Sequence, residues 1–128
     1  MRLPVIALVL VASVACSNKL GGDLTINGEP FAPASCRNGV VYGFSGVEVR
    51  GKRGDKLRLA QTATGEVQVI VFAPGATVGS SIGTCGTITV DTQRSTINDV
   101  KNVRGKATLA CETDGLTLAG TVTFENCH

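Results

Sequence analysis

Asp114-Gly115 stands between two runs, 107–113 and 116–122, in which apolar and polar residues alternate. An Asp-Gly pair in that setting signals a two-residue type I′ hairpin. Such a loop pairs Thr113 with Leu116. The same register sets Cys111 opposite Leu118, Leu109 opposite Gly120 and Ala107 opposite Val122, all on one face. It also restricts the cysteines. Cys111 lies by the turn and Cys127 about ten strand residues away, roughly 33 Å. A disulfide needs Cα atoms within about 7 Å, so Cys111–Cys127 is disfavoured. Two pairings remain: Cys36–Cys127 with Cys85–Cys111, and Cys36–Cys111 with Cys85–Cys127. The first is preferred, because it ties an early strand to the chain end and joins two neighbouring strands.

The chain opens with a positive end at Arg2 and an uncharged apolar run, Val5 to Ala12, and then the small residues Ser13 and Ala15 precede Cys16. These are the n-region, h-region and cleavage site of a secretory signal peptide, 1–15. Its apolar run covers about half of a ~30 Å bilayer core, too little for a transmembrane helix. Ser13-Val14-Ala15-Cys16 resembles the lipobox of bacterial lipoproteins, with Ser13 where an aliphatic residue is usual. The resemblance implies cleavage before Cys16, acylation of that cysteine (diacylglycerol and palmitate) and a membrane anchor. Ser17 and Asn18 resemble the residues that permit sorting to the outer membrane in enterobacterial lipoproteins. The expected location is thus the outer membrane, lipid-anchored, on its periplasmic face or at the cell surface.

The cysteine count agrees with this reading. Five cysteines are an odd number for an exported chain. With Cys16 acylated, Cys36, Cys85, Cys111 and Cys127 form two pairs, the default state in an oxidising envelope. A metal site is the weaker alternative, since there is no Cys-x-x-Cys and the single histidine, His128, is the last residue.

Beyond the leader, 113 residues are one domain's worth. Sixteen glycines, frequent Val and Thr, and no Trp describe short strands and tight turns. The expectation is an all-β domain, 24–128: a single small antiparallel β-sandwich or partly closed barrel with two disulfides. Residues 16–23 are expected to be the lipidated end and a flexible tether. Leu24-Thr25-Ile26 reads as a strand turning at Asn27-Gly28. Pro30 and Pro33 bracket an irregular stretch before Cys36, and Asn38-Gly39 is a further turn signal. Val47 and Val49 alternate with Glu48 and Arg50, and Leu57 and Leu59 with Lys56 and Arg58. Pairing about Arg53 sets Val49 opposite Leu57 and Val47 opposite Leu59; a one-residue slip would bury Arg58. Residues 66–72 read as a central strand covered on both sides. Residues 75–84 read as loop, 86–90 as a strand and 91–99 as polar turn.

Thr25-Ile26-Asn27-Gly28, Cys36 and the closing Thr123-Phe124-Glu125-Asn126-Cys127 are similar to the layout of small actinobacterial surface lipoprotein antigens. In those proteins the early strand of a β-sandwich is bridged to a terminal cysteine. The resemblance therefore also implies Cys36–Cys127.

For function, the mature chain carries 11 basic and 10 acidic residues, a balance that offers nucleic acid no electrostatic footprint. Nucleophilic catalysis usually needs a held base, and His128 at the terminus is a poor one. No metalloprotease, P-loop or dinucleotide motif occurs. The expected protein is a non-catalytic structural or protein-interaction module, with no cofactor, docking on another envelope protein. The alternative is a small-ligand or polyanion binder using the basic hairpin tip Arg50, Lys52, Arg53, Lys56 and Arg58, or the 75–86 loop over a pocket; an inhibitor of an envelope enzyme ranks below both. Arg53-Gly54-Asp55 spells an integrin tripeptide, but Gly-Asp is ordinary turn chemistry.

Overall fold

Hydrophobic alternation builds the two hairpins in the anticipated registers. The computed structural model describes residues 17–93, 102–113 and 115–128. Residues 1–16, where the signal peptide and Cys16 are expected, Asp114 and residues 94–99 of the expected polar turn lie outside them, and Asp91–Gln93 are strand, not turn. The chain runs through β1 (Lys19–Gly22), β2 (Thr25–Ile26), β3 (Glu29–Pro30), β4 (Pro33–Asn38), β5 (Gly46–Gly51), β6 (Lys56–Gln61), β7 (Glu66–Phe72), β8 (Ser80–Gln93), β9 (Asn102–Thr113) and β10 (Leu116–Cys127), with a 3₁₀ turn at Gly39–Tyr42. Across β5 and β6, Val47 faces Leu59 and Val49 faces Leu57. Across β9 and β10, Thr113 faces Leu116, Cys111 faces Leu118, Leu109 faces Gly120 and Ala107 faces Val122.

All strands belong to one antiparallel sheet in the order β3-β2-β10-β9-β8-β7-β6-β5-β4, with β1 also on β10. The sheet curls into a half-barrel, so of the two expected architectures the partly closed barrel is the one adopted. Its concave side is filled by Val47, Val49, Leu57, Leu59, Val67 and Val69, which have no exposed surface, and by Leu109, Leu118, Val122 and Phe124. One curled sheet encloses a core here without a second layer, because the side chains of β5–β7 meet those of β9 and β10 across the fold.

The curl brings β4 back beside β1 and β10. Among the described residues no ladder pairs β4 with either, and its one ladder partner is β5. The seam is closed covalently by Cys36–Cys127, with Cα atoms 5.1 Å apart. Cys85–Cys111 joins the neighbouring strands β8 and β9, also with a 5.1 Å Cα separation. Both belong to the preferred pairing.

Several expectations change. Residues 17–23 are no free tether: Lys19 to Gly22 pair with Glu125 to Val122 as β1. The stretch before Cys36 is a strand, β4, despite Pro33, because an edge strand can spare the N–H that proline lacks. The 75–84 loop is shorter than expected, since β8 begins at Ser80 and runs on to Gln93. Glycines hide this strand. Gly83 and Gly86 take positive φ at shifts in register with β7, and a Cβ at Gly86 would stand 2.1 Å from the Thr108 carbonyl oxygen. In β7, Val67 and Val69 are buried inside as expected, while the outer Phe72 is covered by side chains and not by a second sheet.

Because every pairing is antiparallel, chain direction alternates around the sheet. β4, β6, β8 and β10 finish at one end, where β1 starts. That end carries Ser17, the 3₁₀ turn, Gln93, Asn102 and His128. The turn at 52–55, the 73–79 loop and the β9–β10 hairpin lie at the opposite end.

Candidate functional site

The basic residues singled out in the sequence separate into two groups. Strand alternation sends Arg50, Lys56 and Arg58 to the convex face of β5 and β6, opposite the buried valines and leucines. Registers align them in two rows across β4–β7. One row is Arg37, Glu48, Arg58 and Ile70; the other is Ser35, Arg50, Lys56 and Phe72. Lys52 and Arg53 sit in the turn instead, where Gly51 N–H donates to Asp55 O at 2.8 Å. There Arg53 Nη1 meets Glu29 Oε2 at 2.7 Å, an exposed ion pair.

Glu48 organises the first row. Its side chain is only 6 % exposed, with Lys56 Nζ at 3.7 Å and Arg58 Nη2 at 3.2 Å. Two cations share this one carboxylate. The Arg58 guanidinium is flanked by the rings of Phe44, 5.2 Å from its centroid, and Phe72, at 5.4 Å. Lys56 Nζ stands 4.3 Å from the centroid of the same Phe72 ring. Aromatic faces attract cations and keep water from them, so these charges are held in place without a second acid. Arg37 donates to the Tyr42 hydroxyl. That contact, with a smaller pull from Glu48, pushes the arginine's already high pKa higher.

The second row is less compensated. Arg50 is exposed, directly opposite Lys56 across the ladder, and among the described residues it has no ion-pair partner. Like charges placed opposite one another on a sheet repel. Arg50, Lys56, Phe72, Gly54, Gly75 and Ala76 border a groove of about 370 Å³. With two cations over an aromatic wall, its chemistry suits an anionic group.

A second polar cluster, unforeseen in the sequence, occupies the seam. Asn18 Oδ1 accepts from the Cys36 N–H at 2.9 Å, and its Nδ2 donates to Asn126 O at 2.7 Å. Asn126 bulges from β10 with φ 58°. Its N–H donates to Gln93 Oε1 at 2.9 Å, and its Oδ1 accepts from Gln93 Nε2 at 3.3 Å. Asn tolerates that backbone region better than most residues, the one local hint available. His128 is exposed, 3.2 Å from Asn126 O. Among the described residues no three His, Cys, Asp or Glu converge as a metal site. No family model, curated protein or solved structure matches the chain.

Proposed function

We propose that the protein is a lipid-anchored outer-membrane lipoprotein whose β-domain is a non-catalytic interaction module for an acidic envelope partner. The anchor rests on the lipobox-like Ser13–Cys16. Acyl chains contribute about 0.8 kcal/mol per buried CH₂, so several of them make attachment effectively permanent.

The contact surface is carried by one observation, the Arg50–Lys56 juxtaposition beside Phe72. Opposed cations destabilise a free sheet, and an acidic partner relieves that repulsion. The groove includes two of the five cations expected at the hairpin tip, Arg50 and Lys56, with Arg58 in the adjoining row. Lys52 and Arg53 belong to the turn beyond it.

The test is purification of the lipidated protein from detergent-solubilised envelope. The expected result is a stoichiometric protein partner released by salt, retained by wild type and lost from Arg50→Glu, which leaves the Lys56–Glu48 pair intact, with its melting transition preserved. Retention by the charge-reversed variant overturns the assignment. A polyanion recovered in place of a protein would replace the partner class and keep the surface.

A further inference from the structure

We infer that the Val40–Tyr42 corner is a membrane-contact site, seated in the headgroup layer of the bilayer that the Cys16 lipid enters. The inference rests on the lipid-anchor reading and adds an orientation to it. Among the described residues four large apolar side chains are exposed, and three are consecutive: Val40 at 67 %, Val41 at 76 % and Tyr42 at 42 %. The fourth, Val78, stands alone in the 73–79 loop at the opposite end.

Consecutive exposed valines are not a by-product of loose structure here. Asn38 caps the 3₁₀ turn, accepting from Val40 N–H at 3.1 Å, and Gly43 closes it in the left-handed region, its N–H donating to Val40 O at 3.1 Å. Phe44 packs against Gly39, where a Cβ would lie 2.4 Å from its ring. The turn is capped at both ends with its apolar side chains outward.

Position supplies the occupant. β4 and β10 finish at the same end, levelled by Cys36–Cys127, and Asn18 is stitched to Cys36 and Asn126. Cys16 is two residues from Asn18, at most ~7 Å of chain. The headgroup layer of one leaflet is about 5–8 Å deep. With so little slack, a lipid on Cys16 brings the seam end against the bilayer. Val40 follows Cys36 by four residues, at most ~14 Å of extended chain, on the same side of the molecule. Tyr42 and its Arg37 partner have the aromatic and cationic character favoured at headgroup depth. The Arg50–Lys56 groove, bordered by Gly54, Gly75 and Ala76 of the loops at the opposite end, then lies away from the membrane and open to a partner.

The chain contains no tryptophan, so single reporters are unambiguous. Full-length lipidated Val41→Trp and Arg53→Trp are reconstituted in phosphatidylethanolamine–phosphatidylglycerol vesicles with brominated acyl chains. Tryptophan at 41 is expected to show blue-shifted emission and at least threefold stronger quenching than tryptophan at 53. Tyr42→Trp gives the same readout should the 41 variant fail to fold. Equal, weak quenching at both ends in protein whose Cys16 mass shows the acyl groups overturns the orientation and leaves the anchor intact. A Cys16 peptide of unmodified mass overturns the anchor, and the orientation with it.

Discussion

Asn18 and Cys36 meet across a seam that no ladder bridges: the Asn18 carboxamide accepts the Cys36 N–H at 2.9 Å. Its other end donates to Asn126 O, 108 positions along the chain. One side chain thus satisfies two strands that the curl brings together without backbone pairing. Beside it, Cys36–Cys127 makes the closure covalent.

Replacing Asn18 leaves the Cys36 N–H unpaired and takes from Asn126 O one of its two neighbouring nitrogens, the other being His128 Nδ1. Asn18→Ala is expected to cost about 1–3 kcal/mol, lowering Tm by roughly 4–13 °C for a domain of this size. Scanning calorimetry with both disulfides intact reads the change. A shift below about 1 °C would remove Asn18 from the closure.

The two disulfides differ in loop length, 91 positions against 26. In the chain-entropy model the longer contributes on the order of 4–5 kcal/mol and the shorter about 3.5. Cys36→Ala/Cys127→Ala should therefore be the less stable double variant in urea. Hydrogen exchange should accelerate first at β1 and β4, the strands flanking the seam. Unchanged exchange there would mean that the seam holds without its bridge.

Glu48→Gln removes the carboxylate shared by Lys56 and Arg58, whose side chains are 24 % and 29 % exposed. Both cations are screened in part, so the cost is about 1–3 kcal/mol and not the larger penalty of a fully buried pair. At a typical urea slope of about 1–3 kcal/mol/M, the midpoint should fall by roughly 1 M. By contrast, Arg53→Ala at the exposed Glu29 pair should stay within about 0.5 kcal/mol of wild type. A reversed order would contradict the assignment of Glu48 as the hub.

Gly105→Ala would place a Cβ 1.8 Å from the Thr89 carbonyl oxygen, inside the β8–β9 ladder. The strands must part, at a cost of about 3 kcal/mol or more. Gly115→Ala meets open space and strains φ at 77°, costing about 1 kcal/mol. Chemical denaturation of the two variants ranks them; equal losses would show that the ladder yields at Gly105.

Much of the sheet is legible locally. Val47 and Val49 against Leu57 and Leu59, and Cys111 against Leu118, follow from period-two alternation around short turns. The pairing of the cysteines follows in part from the same registers. β8 is harder to see, because Gly83 and Gly86 break its alternation and much of it is only half-buried. β1 and β4 are edge segments with few apolar residues, Lys-Leu-Gly-Gly and Pro-Ala-Ser-Cys-Arg-Asn, so little in their composition marks them as strands. The convex rows were half legible: alternation places Glu48, Arg50, Lys56 and Arg58 on one face, but bringing Phe44 and Phe72 around Arg58 depends on neighbouring strands and the turn after β4.

Residue order alone is enough for the all-β class, the two hairpin registers and the case against Cys111–Cys127, because alternation and turn chemistry act over a few residues. The curl of one sheet into a half-barrel, the Asn18–Asn126–Gln93 seam and the gathering of the 3₁₀ corner with the amino-terminal stitch emerge only on folding. Those contacts join residues far apart in the chain, and such pairings depend on the accumulated twist and closure of every strand between them.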